Sequence, residues 1–435
     1  MSRKMRDSVW DRHGVIRSIL EPVRVPRMAK VRQLFPDQRL ADVAGAVRRE
    51  LARPGIGDRI RPAMRVAVTV GSRGIANLPA IVRAVVAGVK DRGGLPFVFP
   101  AMGSHGGATA QGQSALLEAL GITEASVGAP IRSGMETVVV GHTERGQEVH
   151  LDRCAAEADG IIVLNRVKPH TAFRGDYESG LMKMMAIGMG NQKGAECCHA
   201  QGFARMAENI PRCGKVVLEQ AGILFGLAVL ENAFDTTCRI EAVPKAEIAT
   251  REPELLREAK ALMPRILIRR FDVLVVDRIG KNFSGSGADP NITGTYCTYC
   301  AGADGPEFQR YVVLDLSEET HGSALGVGMA DITTRRLFDQ ADFDACYPNS
   351  LTYREPRTVK MPMVMASDRL ALQAAIFTCV DLGPEGPRIV RLANTAHIGE
   401  IQVSEALLPE VRETPGLELL EAPAELPFSA GGDLW

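Results

Sequence analysis

A repeated order of short apolar strands, glycine-containing loops and helices is the feature that most constrains the fold of this chain. The strand-like runs are MRVAVTV, LPFVFP and GIIVLN, at residues 64–70, 95–100 and 160–165. A loop and a helix follow each of the first two runs, and Thr109 is placed to cap the second of these helices. This order predicts an α/β domain with a mostly parallel sheet.

A second α/β domain is predicted to begin near residue 268. FDVLVVDRIG (residues 271–280) starts a new strand and leads into the polar, glycine-containing loop KNFSGSGADPNITG. We therefore predict an N-terminal domain of residues 1–267 and a C-terminal domain of residues 268–435, with the last residues able to return to the first domain. Both domains are expected to have mostly parallel sheets and to face each other across a cleft.

Composition argues against several classes of partner. The 435 residues carry a net charge of −1 and no long basic run, so extended binding to nucleic acid or to an anionic membrane is not expected. We find no apolar run long enough to span a membrane and no signal peptide. Nine scattered cysteines, an odd number, are typical of a reduced, cytoplasmic protein rather than of a disulfide scaffold.

Chemically useful side chains follow the strands of the predicted first domain. Arg73, His105 and His170 lie in loops at the carboxyl ends of strands, the edge at which open α/β sheets bind ligands. Two histidines there can form an acid–base pair, although each can also be a loop histidine bonded to backbone. Arg73 is either a two-pronged clamp on a carboxylate or phosphate, or a solvated residue at a helix entrance.

The stretch HTAFRGDYESGLMKMMAIGMGNQKGAECCH, residues 170–199, carries further candidate groups. Lys183 stands among apolar residues, so its amine is either desolvated and nucleophilic or carried to water by its long stem. The segment GMGNQKG, which includes Gly188 and Gly190, resembles a phosphate-binding loop. This stretch is therefore predicted to be an ordered loop that enters a helix and contributes to a site.

Two cysteine motifs offer metal ligands. The candidates are Glu196, Cys197, Cys198 and His199 in ECCH, and Cys297 and Cys300 in CTYC. No second CxxC or HxxxH completes either motif, so a structural zinc site is not expected. A catalytic metal that is bound by one histidine and mostly by a cofactor remains an alternative.

The combination of these motifs resembles the nickel-dependent lactate racemase (LarA-type) family of 2-hydroxyacid racemases and epimerases. The matching features are the strand-end arginine, GSHGGAT, NRVKPHTAF followed by GLMK, and CCH; the resemblance continues weakly through GKNFSGSGADPNITG. It implies a nickel-pincer nucleotide (nickel pyridinium-3,5-bisthiocarboxylic acid mononucleotide) bound between two α/β domains. The implied partners are nickel, the enzymes of cofactor biosynthesis and a small 2-hydroxy acid.

The resemblance implies a role for each matching residue. His105 and His170 match the family's pair of acid–base histidines. Lys183 matches the lysine that can bind the cofactor through a thioamide, and His199 matches the protein's nickel ligand. The other implied cofactor contacts are Ser72, Arg73, Gly188, Gly190, Lys281 and Asn282.

Two departures from the family concern the substrate. Val70 stands where the family's DxTR loop has its aspartate, and the stretch from His170 to Lys183 is longer than in the lactate enzyme. The implied substrate is therefore not lactate but a larger or more polar 2-hydroxy acid, such as a sugar acid or a dicarboxylic acid. The implied reaction is reversible hydride transfer from C2 through a 2-keto acid, while a histidine takes the hydroxyl proton.

Two other function classes remain alternatives. One is an NAD-dependent 2-hydroxyacid dehydrogenase, although no GxGxxG with a downstream acidic residue follows the first strand. The other is a non-enzymatic metal or iron–sulfur protein that uses CTYC and the paired cysteines of ECCH.

Overall fold

The computed structural model describes residues 14–72, 74–302, 304–352 and 354–435. The chain divides into two compact units. We call Pro36–Met263 the central unit, and residues 14–35 together with Pro264–Trp435 the terminal unit. Each unit combines a mixed or mostly parallel sheet with helices, so the predicted α/β class is confirmed.

The central unit contains a five-stranded sheet and a separate two-stranded sheet. Its strands, numbered along the whole chain, are β2 (Arg65–Val70), β3 (Leu95–Pro100), β4 (Thr137–His142), β5 (Glu148–Asp152), β6 (Gly160–Arg166), β7 (Ile223–Glu231) and β8 (Thr237–Pro244). The larger sheet has the order β3-β2-β6-β7-β8, in which only the β7–β8 pair is antiparallel. Because β3, β2 and β6 run parallel, the loops that follow them leave from the same edge of the sheet.

The helices of the central unit follow its strands or connect its loops. They are α2 (Val43–Leu51), α3 (Leu78–Lys90), α4 (Ala110–Ala119), α5 (Glu124–Val127), α6 (Arg153–Ala156), α7 (Leu181–Ala186), α8 (Asn191–His199), α9 (Met206–Gln220) and α10 (Ile248–Leu262). The predicted cap is present, since the Thr109 hydroxyl accepts a hydrogen bond from the Gly112 amide at 3.0 Å.

The core of the central unit follows from two sequence periods. Val66, Val68 and Val70 alternate along β2 and therefore share one buried face of the strand. Ile81 and Val85 are four residues apart on α3, so they share the helix face that is buried in the same core. Burying each such side chain contributes roughly 1.5–3 kcal/mol to stability.

The terminal unit contains an eight-stranded sheet. Its strands are β1 (Met28–Gln33), β9 (Val273–Ile279), β10 (Arg310–Leu316), β11 (Ile332–Thr334), β12 (Met363–Met365), β13 (Ile389–Leu392), β14 (Glu400–Ser404) and β15 (Leu417–Leu419). The order is β12-β11-β10-β9-β13-β14-β1-β15. The five strands from β12 to β13 are parallel to one another, and the remaining pairs are antiparallel.

The helices of the terminal unit are short. They are α1 (Val15–Leu20), α11 (Pro290–Thr293), α12 (Arg335–Gln340), α13 (Phe343–Thr352), α14 (Asp368–Thr378) and α15 (Leu408–Glu413). Throughout the described part of the chain, no helix combines the length and the apolar character that a membrane crossing requires.

The division into units differs from the predicted domains at the N-terminal end of the chain. The change of unit falls at Pro264, close to the predicted boundary near residue 268. Residues 14–35, however, belong with the C-terminal part, because β1 forms antiparallel pairs with β14 and β15. The same pairing keeps the last strand, β15, in the terminal unit, so it does not return to the first domain.

Candidate functional site

His105 lies in the loop after β3, directly before a 3-10 turn formed by Gly106–Ala108. Its ring Nδ1 lies 2.8 Å from the carbonyl oxygen of Met102. The fully buried Gln113 of α4 closes the same loop, because its amide Nε2 donates to the Gly103 carbonyl at 3.0 Å. The ring of His105 is thus tied to its own loop, and that loop is tied to α4.

His170 lies in the loop after β6, where it is half-buried. Its backbone N–H donates to Oε2 of Glu178 at 2.7 Å, and its ring Nδ1 accepts from the Ala172 N–H at 3.1 Å. The ring of Phe173 packs against it with 4.4 Å between the centroids. These contacts fix both the backbone and the ring of His170.

Lys183 lies in α7, directly after this loop. The four residues around it, Leu181, Met182, Met184 and Met185, are buried, whereas Lys183 is half-buried. Lys183 is therefore less buried than its four neighbours on this helix, and the role of its amine stays a prediction.

His199 is the last residue of α8 and is half-buried. Its ring lies 6.0 Å from the ring of Phe203, measured between centroids, and Phe203 lies 6.5 Å from the ring of His170. Burial, together with the ammonium of Lys183 and the ring of His105, lowers the pKa of His199 to about 4. A histidine with this pKa is neutral at physiological pH, which is the form that binds metals.

Four candidate residues, from two loops and two helices, lie near one another. His105 and Lys183 are near enough to His199 to act on its charge, and the rings of His199 and His170 both lie near the ring of Phe203. All four predicted residues therefore belong to one region of the central unit, which we call the histidine–lysine site. Its acid–base and binding roles stay predictions.

The predicted glycines Gly188 and Gly190 have a packing reason to lack a side chain. A Cβ on Gly188 would lie 2.5 Å from the sulfur of Met184, and one on Gly190 would lie 2.9 Å from the His150 carbonyl. The carbonyl of Gly188 also accepts the Gly103 N–H at 3.1 Å, which links this turn to the loop of His105. Close packing accounts for these glycines, and their contact with a cofactor stays a prediction.

The other predicted contacts are placed differently. Ser72 is half-buried in the loop after β2, and Arg73 lies outside the described residues. Lys281 and Asn282 belong to the terminal unit, in the loop after β9. There the Ser317 hydroxyl donates to the Asn282 side-chain oxygen at 2.6 Å.

The cysteines are free thiols. A hydrogen bond to Cys213 and burial both raise the pKa of Cys198, and burial raises the pKa of Cys297 to about 11. Within the described ranges, no group of three or more histidine, cysteine, aspartate or glutamate side chains is arranged to hold a metal ion.

Sequence analysis missed two buried glutamates that support the site. Glu178 is fully buried; it accepts the His170 N–H and pairs with Lys260 of α10, whose Nζ lies 2.7 Å from Oε1. Glu252, also on α10, accepts the Met182 N–H at 2.8 Å at the start of α7. Burial raises the pKa of Glu252 to about 8.

Nothing in the local sequence marks these glutamates. Glu178 lies in a polar loop, and Glu252 lies in REPELLREAK, whose composition is that of a solvated helix. Their burial depends on contact between α10 and segments far from it in the chain.

Comparison with known proteins gives one family match. Residues 63–297 match the family model described as "Domain of unknown function (DUF362)". The comparison with curated proteins gave no match. Among solved structures, the fold is similar to the lactate racemase apoprotein from Thermoanaerobacterium thermosaccharolyticum, with a TM-score of 0.44 and 13% identity over 66% of this chain and 74% of that chain.

Proposed function

Since the chain belongs to the DUF362 family, whose description names no reaction, we propose a function from the geometry of the histidine–lysine site. The proposed function is that of an isomerase, a racemase or epimerase of a 2-hydroxy acid that uses a nickel-pincer nucleotide. The observation that carries this proposal is the proximity of His105 and Lys183 to His199, together with the ring of Phe203 near both His199 and His170. The motifs that resemble the lactate racemase family supply the choice of reaction.

The donor groups of the site fit such a cofactor. His199 offers a neutral imidazole nitrogen, and nickel suits imidazole together with sulfur ligands, which the cofactor would contribute. Lys183, half-buried on α7, would offer its amine for contact or covalent attachment. The remaining proposed cofactor contacts are Ser72, Arg73, Gly188, Gly190, Lys281 and Asn282.

The bound cofactor would supply an acceptor for the C2 hydrogen as hydride. The protein's own part is to handle the hydroxyl group of the substrate, which must lose its proton for a planar 2-keto acid to form. His105 and His170 are the groups proposed for this task, because imidazole can exchange protons and hydrogen bonds near neutral pH. The planar keto acid can accept hydrogen on either face, which gives both configurations at C2.

The proposed substrate is larger or more polar than lactate. Val70 is fully buried in the core, so the family's aspartate has no polar counterpart at this position. The longer loop is held at Tyr177, whose hydroxyl donates to the Ala249 carbonyl of α10. Arg73 would hold the substrate carboxylate if it serves as a two-pronged clamp.

The test is expression together with the enzymes of cofactor biosynthesis, followed by metal analysis, intact mass and a screen of 2-hydroxy acids by chiral chromatography. We expect nickel near one equivalent and interconversion of the two configurations of a sugar acid or dicarboxylic hydroxy acid. His199→Ala should lose most of the nickel, whereas His142→Ala, on an exposed position of β4, should keep it.

Other results would reject the proposal. Full nickel retention in His199→Ala would exclude this residue as the ligand. Reduction of added NAD by the protein without nickel would instead favour a dehydrogenase. A brown chromophore with stoichiometric iron would favour an iron–sulfur protein.

A further inference from the structure

The ring atom Nδ1 is a hydrogen-bond donor in His105 and a hydrogen-bond acceptor in His170. In His105 this nitrogen faces the carbonyl oxygen of Met102 at 2.8 Å. In His170 it faces the backbone N–H of Ala172 at 3.1 Å. A carbonyl oxygen can only accept and a backbone N–H can only donate, so the two partners require different protonation of the two rings.

The partner of His105 requires a proton on Nδ1. In the neutral ring the other nitrogen, Nε2, then carries the lone pair. A proton taken up at Nε2 leaves the Nδ1–H bond to Met102 intact, and that carbonyl stabilises the resulting imidazolium. His105 is thus held in the tautomer that a general base needs.

The partner of His170 requires a lone pair on Nδ1, so the neutral ring carries its proton on Nε2. This ring can donate a hydrogen bond from Nε2 but has no lone pair there to accept a proton. Adding a proton at Nδ1 would place two N–H groups, those of Ala172 and the ring, against each other. His170 is thus held as a neutral hydrogen-bond donor.

Separate buried groups fix the two loops. Gln113 is fully buried and holds the loop of His105 through the Gly103 carbonyl. Glu178 is fully buried and holds the backbone of His170, while Lys260 pairs with this carboxylate. The opposite ring states therefore rest on loops that are each anchored to a helix, α4 for His105 and α10 for His170.

We infer that the two histidines are not interchangeable: His105 is the base for the substrate hydroxyl, and His170 is a fixed hydrogen-bond donor to a substrate oxygen. The assignment to substrate rests on the proposed function, whereas the ring states do not. In the proton step, the hydroxyl O–H bond breaks and the proton forms a bond to Nε2 of His105. The imidazolium returns the same proton in the reverse step, and His170 keeps its proton throughout.

The ring states are tested by nuclear magnetic resonance of protein labelled with ¹⁵N in its histidine rings. Ring ¹⁵N shifts and their couplings to carbon-bound ring protons distinguish the two neutral tautomers. His105→Gln and His170→Gln assign the two signals by their loss, and the corresponding asparagine variants serve the same purpose if a glutamine variant does not fold. We expect Nδ1–H for His105 and Nε2–H for His170; the same tautomer in both rings would overturn the inference.

The same two glutamine variants test the roles in the cofactor-loaded enzyme. A glutamine amide reaches the position of Nε2 and can donate a hydrogen bond, but it cannot take up a proton. His105→Gln should therefore lose about 10²–10⁴-fold in kcat, the usual contribution of a general base. His170→Gln should lose about tenfold or less, because a single neutral hydrogen bond is largely retained.

Equal losses in the two glutamine variants would show a symmetric acid–base pair and contradict the assignment of roles. Opposite tautomers without turnover of any 2-hydroxy acid would instead leave the ring assignment standing and reject the proposed function.

Discussion

Two carboxylates of the terminal unit and two beside the histidine–lysine site of the central unit have different main partners. In the terminal unit, the half-buried Asp277 receives two hydrogen bonds from Arg391, at 2.7 and 2.9 Å, and the buried Asp368 receives two from Arg336, at 2.9 and 3.2 Å. In the central unit, Glu178 and Glu252 accept backbone N–H groups at 2.7 and 2.8 Å. The arginine pairs join two strands and two helices of the terminal unit. Glu178 and Glu252 of the central unit instead hold the backbone of a loop and of a short helix.

This difference separates stability from site geometry. A pair such as Arg336 and Asp368 lies in the frame of its unit, so its loss should lower the free energy of unfolding. Glu178 and Glu252 hold the segments that carry His170 and Lys183, so changes there should also reach the proposed chemistry. The following substitutions test whether changes in the terminal unit lower stability while changes at the site of the central unit lower activity.

The largest effect is expected at Lys183 in the central unit. Lys183→Ala should lower the activity of the cofactor-loaded protein by about 10³-fold or more, equivalent to about 4 kcal/mol, with little change in thermal stability. Lys215→Ala, which changes a lysine with 74% side-chain exposure on α9, is the matched control and should keep full activity. Undiminished turnover by Lys183→Ala would remove this residue from the site.

In the terminal unit, the expected loss is one of stability. Arg336→Met leaves Asp368 fully buried without its cation, and breaking such a pair costs about 3–5 kcal/mol. Arg335→Met removes the neighbouring arginine, which pairs with Asp339 within one helix, and should cost about 0.5 kcal/mol or less. Denaturant unfolding of both variants measures the difference; equal midpoints would show that Asp368 does not depend on Arg336.

A smaller, pH-dependent effect is expected at Glu252. Its pKa in the folded protein, about 8, is above the ordinary value of 4.5, so the folded state holds a proton that the unfolded state releases. The stability from this group is complete below the ordinary pKa and is lost as the pH rises through 8. Relative to wild type, Glu252→Gln should gain up to about 4 kcal/mol between pH 5 and pH 9.

Thermal unfolding across this pH range measures the gain, with Glu254→Gln as the control. Glu254 lies on the same helix with 51% of its side chain exposed, so this variant should track wild type at every pH. A constant offset between Glu252→Gln and wild type would mean that Glu252 has the same charge in the folded and unfolded states.

The sequence predicts the parts of the fold that depend on local periodicity. The runs at residues 64–70, 95–100 and 160–165 became β2, β3 and β6, because apolar β-branched runs between turn residues form strands almost regardless of context. It did not place β1, whose sequence MAKVRQ is half charged or polar. Its strand conformation depends on pairing with β14 and β15, which are hundreds of residues away in the chain.

In the candidate site, too, the sequence predicts residues that have a local signal and misses those whose role depends on distant contacts. His105, His170 and Lys183 were marked by strand-end loops and by a lysine in an apolar segment, both of which are local signals. Glu252 carried no such signal, since its burial requires α7, whose Met182 lies 70 residues earlier. The tautomers of the two histidines were equally hidden, because they depend on which backbone group meets each ring.

The central claim is that His105 of the central unit moves only the hydroxyl proton of the substrate, while the C2 hydrogen never exchanges with solvent. Racemisation or epimerisation by cofactor-loaded protein in heavy water, with mass spectrometry of the product, measures this directly. We expect product with ordinary hydrogen at C2, and slower turnover of C2-deuterated substrate. Extensive deuterium at C2 after a single turnover would contradict the account, because a histidine would then be removing the C2 hydrogen itself as a proton.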